Sequence, residues 1–289
     1  MPPLNLPIMQ PPPAPSPDLL RLALRAEESC SAALTDPLPL ACGAAYASQE
    51  FPNLPEATCV YLSDTALENP RATAEEITTT FQQKNLHPSQ IHLPTSKPPN
   101  PSQLNQLHQF FQSNPLRLTT DSLMRMTNPS FPDEPPAQAA TIIPGRAALA
   151  LLRHLAESTE QAWAGSGTTN PGELAQSAAA ATRLLDDPHI DNLLALTHDD
   201  PPVPIGTLYL APANDALLIY NLYVHPAHTR RRIATTLLHH AADLAARSRA
   251  KHLLLFCNQT NTPALTLYQK IGFTPITPRH TLTLTPSNA

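Results

Sequence analysis

The chain reads as an α/β protein built on an α+β mixed sheet, and three observations predict that class. From residue 139 to 286, apolar runs of strand character alternate with segments of helical period. Between Arg231 and Arg249, apolar residues recur at Ile233, Leu237, Ala241 and Ala245, flanked by Ala234, Leu238 and Leu244. That is the 3.6-residue period of a helix lying on a sheet. The run HLLLFC then follows with the pattern of a buried strand.

The elements follow in order. Residues 1–17 form a proline-rich arm, expected to be disordered or polyproline-like. LLRLALR, Leu19 to Arg25, predicts a short amphipathic helix. Strand-like TCVYL, helical AEEITTTFQQ, strand-like QIHLP, helical LNQLHQFFQ and strand-like LRLTTDSLMRM complete a small α+β unit over residues 18–128. NPSFPDEPPAQ then predicts a linker, 129–138. In 139–286, AATIIP predicts a strand, and AALALLRHLAES and PGELAQSAAAATRLLDD predict helices. IDNLLALTH, VPIGTLYLAP and ALLIYNLYVHP read as strands. After the long helix and HLLLFC come a short helix, NTPALTLYQKIGF, and a closing strand, RHTLTLTP.

Composition narrows the function classes. A net charge of -5 with only 14% charged residues supplies no global field toward nucleic acid or an anionic membrane, so neither is expected as a partner. The four cysteines, Cys30, Cys42, Cys59 and Cys257, form no CxxC pair and adjoin no histidine ligands, so no metal site or disulfide framework is expected. Reduced thiols, the lack of a basic and apolar leader, and the lack of an apolar run approaching roughly 18 residues predict a soluble cytoplasmic protein. With 35 prolines against 7 glycines, few positions adopt positive φ without strain.

The chemistry concentrates in HPAHTRRRIATTLL, His225 to Leu238. Where a strand hands over to a long helix, unpaired N–H groups and the positive end of the helix dipole face outward. Thr229 and the triplet Arg230, Arg231 and Arg232 add a hydroxyl and guanidinium groups there, a seat for a diphosphate. A solvated charge cluster at a helix start is the plain alternative.

Three connected pieces, NLYVHPAHTRRRIATTLL, HLLLFC and NTPALTLYQKIGF, resemble the GNAT superfamily of N-acetyltransferases over roughly residues 138–286. The resemblance implies a GNAT-like fold in the second domain and acetyl-CoA as co-substrate, with no metal. In the family's pyrophosphate loop a Gln or Arg, a Gly, and a Gly or Ala stand where this chain has Thr229, Arg232 and Ala234, and only the last matches. If the loop requires positive φ at Arg232, the strain is on the order of 1 kcal/mol. With an ordinary φ, the guanidinium is free to pair with phosphate. Asn261, Ala264, Leu267, Tyr268, Gly272 and Phe273 reproduce the family's second motif.

By this resemblance Leu222, Tyr223, Val224, Thr229, Arg230, Arg231, Arg232, Ile233, Ala234, Thr235, Asn261 and Ala264 hold the cofactor, and Tyr268 protonates the departing thiolate. An N–H of Tyr223, Val224 or His225 would polarise the thioester carbonyl. The implied acceptor is a small-molecule or peptide amine. The strand IYNLYV offers no carboxylate base, which leaves His225, His198 or a water chain. Cys257 inside LLLFC reads as an inert buried thiol. FFQSNPLRLTTDSLMRM echoes YQKIGFTPITPRHTLTL, which suggests a degenerate second copy of the fold in the first half. A non-catalytic acyl-CoA-binding module and a protein-interaction domain using the proline-rich arm are the other two readings.

Overall fold

The structure, a computed structural model, describes residues 17–94, 98–111, 116–129, 140–164 and 171–284. The proline-rich arm through Ser16 and the expected linker from Ser130 to Gln138 lie outside these residues. The first half contributes α1 (Pro17–Leu34), β1 (Pro37–Leu40), β2 (Gly43–Ala47), β3 (Thr58–Leu62), α2 (Pro70–Gln82), β4 (Gln90–His92), α3 (Pro101–Phe110) and β5 (Leu116–Thr127). The second contributes β6 (Thr141–Pro144), α4 (Leu149–Ala164), α5 (Pro171–Arg183), β7 (Asp191–Leu196), β8 (Pro204–Ala213), β9 (Ala216–Val224), α6 (Ile233–Arg247), β10 (His252–Asn258), α7 (Thr262–Lys270) and β11 (Thr274–Leu284). Among the described residues no helix is long and apolar enough to cross a membrane.

The described strands join one mixed sheet in the order β1-β2-β3-β4-β11-β5-β10-β9-β8-β7-β6. The succession β3-α2-β4-α3-β5 is repeated by β9-α6-β10-α7-β11, and in each the first two strands are parallel. The last strand of each succession then crosses over. β5 pairs antiparallel with β10, β11 pairs antiparallel with β4, and the two crossing strands pair with each other. The two corners that echo one another in sequence are therefore equivalent places in the two halves.

Alternation along β5 sorts the helices into layers. Leu116 faces the core of α2 and α3, which holds Ile77 and Leu107, and Met124 and Met126 face that of α6 and α7. These helices thus cover one face. Leu123 points the other way, toward Leu20 and Leu24 of α1 and Leu152 and Leu155 of α4. α6 buries Ile233, Leu237, Leu238, Ala241, Ala242 and Ala245, and each large aliphatic side chain so removed from water contributes about 1.5–3 kcal/mol.

At the centre, Arg279 of β11 reaches both Asp121, its register partner on β5, and Glu27 of α1, and stacks 3.9 Å above the Phe256 ring. Burial alone drives Glu27 upward, but the guanidinium, assisted by His92, outweighs it and holds the carboxyl below its ordinary 4.5. His92 is pushed down to about 4 by burial and lies flat on Tyr61, with ring centroids 4.4 Å apart.

Four elements depart from expectation. α1 runs to Leu34 rather than Arg25, because its buried face continues through Ala26, Cys30 and Leu34. That face also carries Glu27, a charge buried there because Arg279 stands beside it. β1 and β2, PLPL and GAAYA, carry residues that argue against strands. β1 is tolerated because it is the edge strand, where proline's missing N–H is not needed. β11 begins at Thr274 rather than Arg279, and its Pro275 and Pro278 lie before the stretch paired with β4, which covers Thr281 to Thr283.

Candidate functional site

β9 and β10 run side by side from Ala216 and His252 to Ile219 and Leu255, and there their pairing stops. The cause is local. Asn221 adopts φ 50, and between β8 and β9 the register changes from Tyr209↔Tyr220 to Thr207↔Tyr223. Three steps on β9 thus oppose two on β8, which is a bulge, and a bulged strand bends away from its neighbour. Asparagine tolerates the left-handed region better than other non-glycine residues. The bend parts β9 from β10 along Leu222, Tyr223 and Val224, all half-buried.

The His225 N–H donates to the Ile205 carbonyl across β8 at 2.9 Å, so it is taken. N–H groups alternate in direction along a strand, which turns that of Val224 toward the side β10 has left. The His225 ring accepts from the Ala227 N–H at 3.3 Å and organises the turn Pro226–His228. His198 follows β7 and pairs with Thr141 at 3.2 Å, beside the β6 edge.

The arginine loop comes next. Thr229 donates its hydroxyl to the Pro226 carbonyl at 3.0 Å, holding the turn closed. Arg230 and Arg232 both occupy the left-handed region, at φ 61 and φ 62. The chain therefore makes with Arg232 the conformation that glycine adopts freely, at a cost on the order of 1 kcal/mol. Arg230, Arg231 and Arg232 are all exposed, so the Arg232 side chain points into solvent and not between the strands.

Among the described residues no side chain caps α6. Thr236 donates its N–H to the Arg232 carbonyl at 2.9 Å, closing the first turn, and the preceding amides of Ile233, Ala234 and Thr235 have no acceptor within the helix. Gly206 of β8 lets this corner pack closely, since a Cβ there would stand 2.9 Å from the Tyr223 carbonyl and 3.2 Å from Ile233.

On the same face α7 carries Tyr268. Asn261 caps this helix, its side chain accepting from the Ala264 N–H at 3.3 Å, and Ala264 packs on the α6–α7 core. Gly272, at φ 102, ends the helix as Phe273 donates to the Tyr268 carbonyl at 2.9 Å. The Tyr268 ring meets Phe273 edge-on, with centroids 5.9 Å apart. Burial, with Cys257 adding, pushes the Tyr268 hydroxyl well above its ordinary value, so it is a neutral donor at physiological pH. Burial likewise raises the Cys257 thiol to about 11, the state of an inert thiol.

Across the sheet, on the α1, α4 and α5 face, a cavity of about 190 Å³ opens against the bulge. Tyr209, Tyr220, Asn221 and Tyr223 form its floor, leucines of α1 and α4 its walls, and Glu56 stands among them. Neither His198 nor His225 lines it. Burial raises the Tyr223 hydroxyl while a hydrogen bond with Thr159 opposes the shift. Sequence reasoning missed both Asn221 and Glu56. An asparagine inside the apolar run LLIYNLYV is a usable sign of a bulge, whereas nothing local marks Glu56, which arrives from the other half of the chain. Among the described residues, no cluster of three or more His, Cys, Asp or Glu is placed to hold a metal.

The same region carries the likeness to known proteins. Residues 151–273 match the family model described as acetyltransferase (GNAT) family. A streptothricin acetyltransferase of Streptomyces lavendulae is 38% identical over 60 residues, which is 21% of this chain and 32% of that protein. The match thus spans about a third of that relative's length. Among solved structures, a GCN5-related N-acetyltransferase from Kribbella flavida aligns with a TM-score of 0.56 at 13% identity, covering 92% of this chain and 95% of that one. A tandem GNAT protein from the clavulanic acid biosynthesis pathway aligns with a TM-score of 0.50 at 11% identity, over 78% and 74% of the two chains. At such identities the structural likeness speaks for the fold, and it extends over both halves. The likeness to the acetyltransferase (GNAT) family is thus placed at residues 151–273, in the second half of the chain.

Proposed function

We propose that the protein transfers an acetyl group from acetyl-CoA to a primary amine by direct attack in a ternary complex. The observation that carries this reading is the bulge at Asn221, which parts β9 from β10 beside the uncapped start of α6. When bound, acetyl-CoA supplies a thioester whose carbonyl carbon forms a new C–N bond with the acceptor as the C–S bond breaks.

The residues at hand suit that reaction. The amides of Ile233, Ala234 and Thr235 and the exposed guanidinium groups of Arg230, Arg231 and Arg232 would grip the diphosphate. Thr229 and Asn261 serve by shape, since one closes the turn before the loop and the other caps α7. The flank Leu222–Tyr223–Val224 offers edge-strand contacts to the pantetheine arm, and Ala264 leaves room for it. The Val224 N–H is directed to polarise the thioester oxygen. Tyr268 gives its proton to the departing sulfur and regains one from solvent, while the acceptor nitrogen loses its surplus proton toward water. Four buried free cysteines accord with a reducing, cytoplasmic setting.

The test is turnover of acetyl-CoA with a panel of primary amines, compared between the wild type and Tyr268→Phe. Acetyl-CoA binding without turnover would instead support a non-catalytic acyl-CoA-binding module. Arg232 at the family's glycine position and the lack of a carboxylate on β9 favour that second reading.

A further inference from the structure

We infer that the acceptor is a small apolar body bearing a single ammonium group, and that Glu56, supplied by the first half of the chain, is the residue that receives it. The inference rests on the acetyltransferase reading for what happens to the amine, but its own evidence is the cavity on the opposite face of the sheet.

That cavity, at about 190 Å³, is small beside the roughly 300–1,000 Å³ of pockets for drug-sized ligands. Its walls are mostly leucine and alanine, with Leu34 and Leu54 coming from the first half and Leu152 and Leu155 from α4, and the neutral hydroxyls of Thr159, Ser177 and Thr207 complete them. Tyrosines apart, Glu56 is the one ionisable side chain lining it among the described residues. A carboxylate at the margin of an apolar chamber discriminates in two ways. It attracts one cation, and the walls penalise any further charge, because a second ammonium finds no counter-ion among leucines, alanines and neutral hydroxyls. A polycationic acceptor would bury its other charges unpaired, whereas an apolar monoamine would bury only what the walls accept.

The turn that carries Glu56 is firmly held. It sits on the turn Pro55–Ala57, where proline occupies the first turn position, Ala57 donates to the Leu54 carbonyl at 3.0 Å, and the Thr58 hydroxyl donates to the same carbonyl at 2.9 Å. Its charge is felt by Tyr220, the floor residue next to the bulge. The cavity reaches Asn221, Leu222 and Tyr223, so an amine held there lies against the stretch where β9 leaves β10. The first half thereby walls the acceptor chamber of the second and contributes its carboxylate.

The experiment measures amine binding directly by calorimetry on the full chain without acetyl-CoA, using 2-phenylethylamine and spermidine as probes, for the wild type, Glu56→Gln and Glu56→Asp. The expected result is at least tenfold tighter binding of 2-phenylethylamine than of spermidine, a loss of at least tenfold in Glu56→Gln, and partial recovery in Glu56→Asp. In turnover, Glu56→Gln should raise KM for 2-phenylethylamine while leaving the Kd for acetyl-CoA unchanged. Preference for spermidine, no binding of either amine, or equal affinity in Glu56→Gln would overturn the inference. Failure of the wild type to bind acetyl-CoA would sink the acetyltransferase reading alone, since the amine titration stands without it.

Discussion

Two corners of this molecule occupy equivalent places and have opposite chemistry. Where β9 passes into α6, the strand bulges at Asn221, the helix starts without a cap, and three exposed arginines surround its first amides. Where β3 passes into α2, the β2–β3 register runs without a shift and Asn69 caps the helix, accepting from Ala72 at 3.2 Å. Pro70 removes one of that helix's amides outright, and Glu68 sits just ahead of it. Both corners follow a strand of a parallel pair and feed a helix on the same face of the sheet. The fold thus provides the position, and a handful of residues set its charge and its open or capped amides, which under the proposed function decides whether it attracts or repels a diphosphate. In the first half the same position is capped by Asn69 and flanked by Glu68, and that half, through Glu56, lines the cavity of the second.

The largest expected effect concerns the centre that the halves share. Glu27→Gln leaves Arg279 with a buried charge only partly compensated, and the expected loss of stability is about 3–5 kcal/mol, read by denaturant unfolding. The sign with pH follows from the carboxyl's lowered value. The stabilisation is present above pH 4.5 and fades as pH falls through the lower folded value, so the variant should show a flatter stability profile in that acid range. A variant as stable as the wild type would mean that the halves do not depend on this cluster.

Next in size, reversing charge at the open corner separates it from the closed one. Replacing Arg230, Arg231 and Arg232 together by glutamate should weaken acetyl-CoA binding by more than about a hundredfold, whereas Glu68→Arg at the other corner should leave it unchanged. Tyr268→Phe should lower kcat by about ten- to a hundredfold with the Kd for acetyl-CoA unaltered, since a proton donor of this kind acts late. An equal loss of affinity and rate would reassign Tyr268 to packing.

The smallest effect is a gain. Arg232→Gly relieves the left-handed strain and should raise stability by up to about 1 kcal/mol, measured as an increase in Tm. An Arg232→Gly variant with an unchanged or lowered Tm would show that the loop carries no such cost.

Much of the fold and of the site is legible in the sequence because it rests on local periodicity. The long helix through Ile233, the buried strand HLLLFC, the Gly272 helix stop and the echo between the two helix-to-strand corners all come from neighbouring residues. What escapes depends on partners distant along the chain. Glu27 draws no notice in the sequence because its partner Arg279 comes from the last strand, and β5, the last element of the small α+β unit that the sequence predicts, lies between β10 and β11. At Arg232 the sequence leaves two backbones open, left-handed or ordinary, and residue type alone does not decide between them. Glu56 belongs to a turn whose neighbours across the cavity lie in the other half.

The most direct measurement is a calorimetric titration of the full chain with acetyl-CoA, read for stoichiometry as well as affinity and repeated on Arg230→Ala. The expected result is one site per chain, weakened by about ten- to a hundredfold in the variant. Two sites, no site, or an affinity indifferent to Arg230 would contradict the assignment of one open and one closed corner.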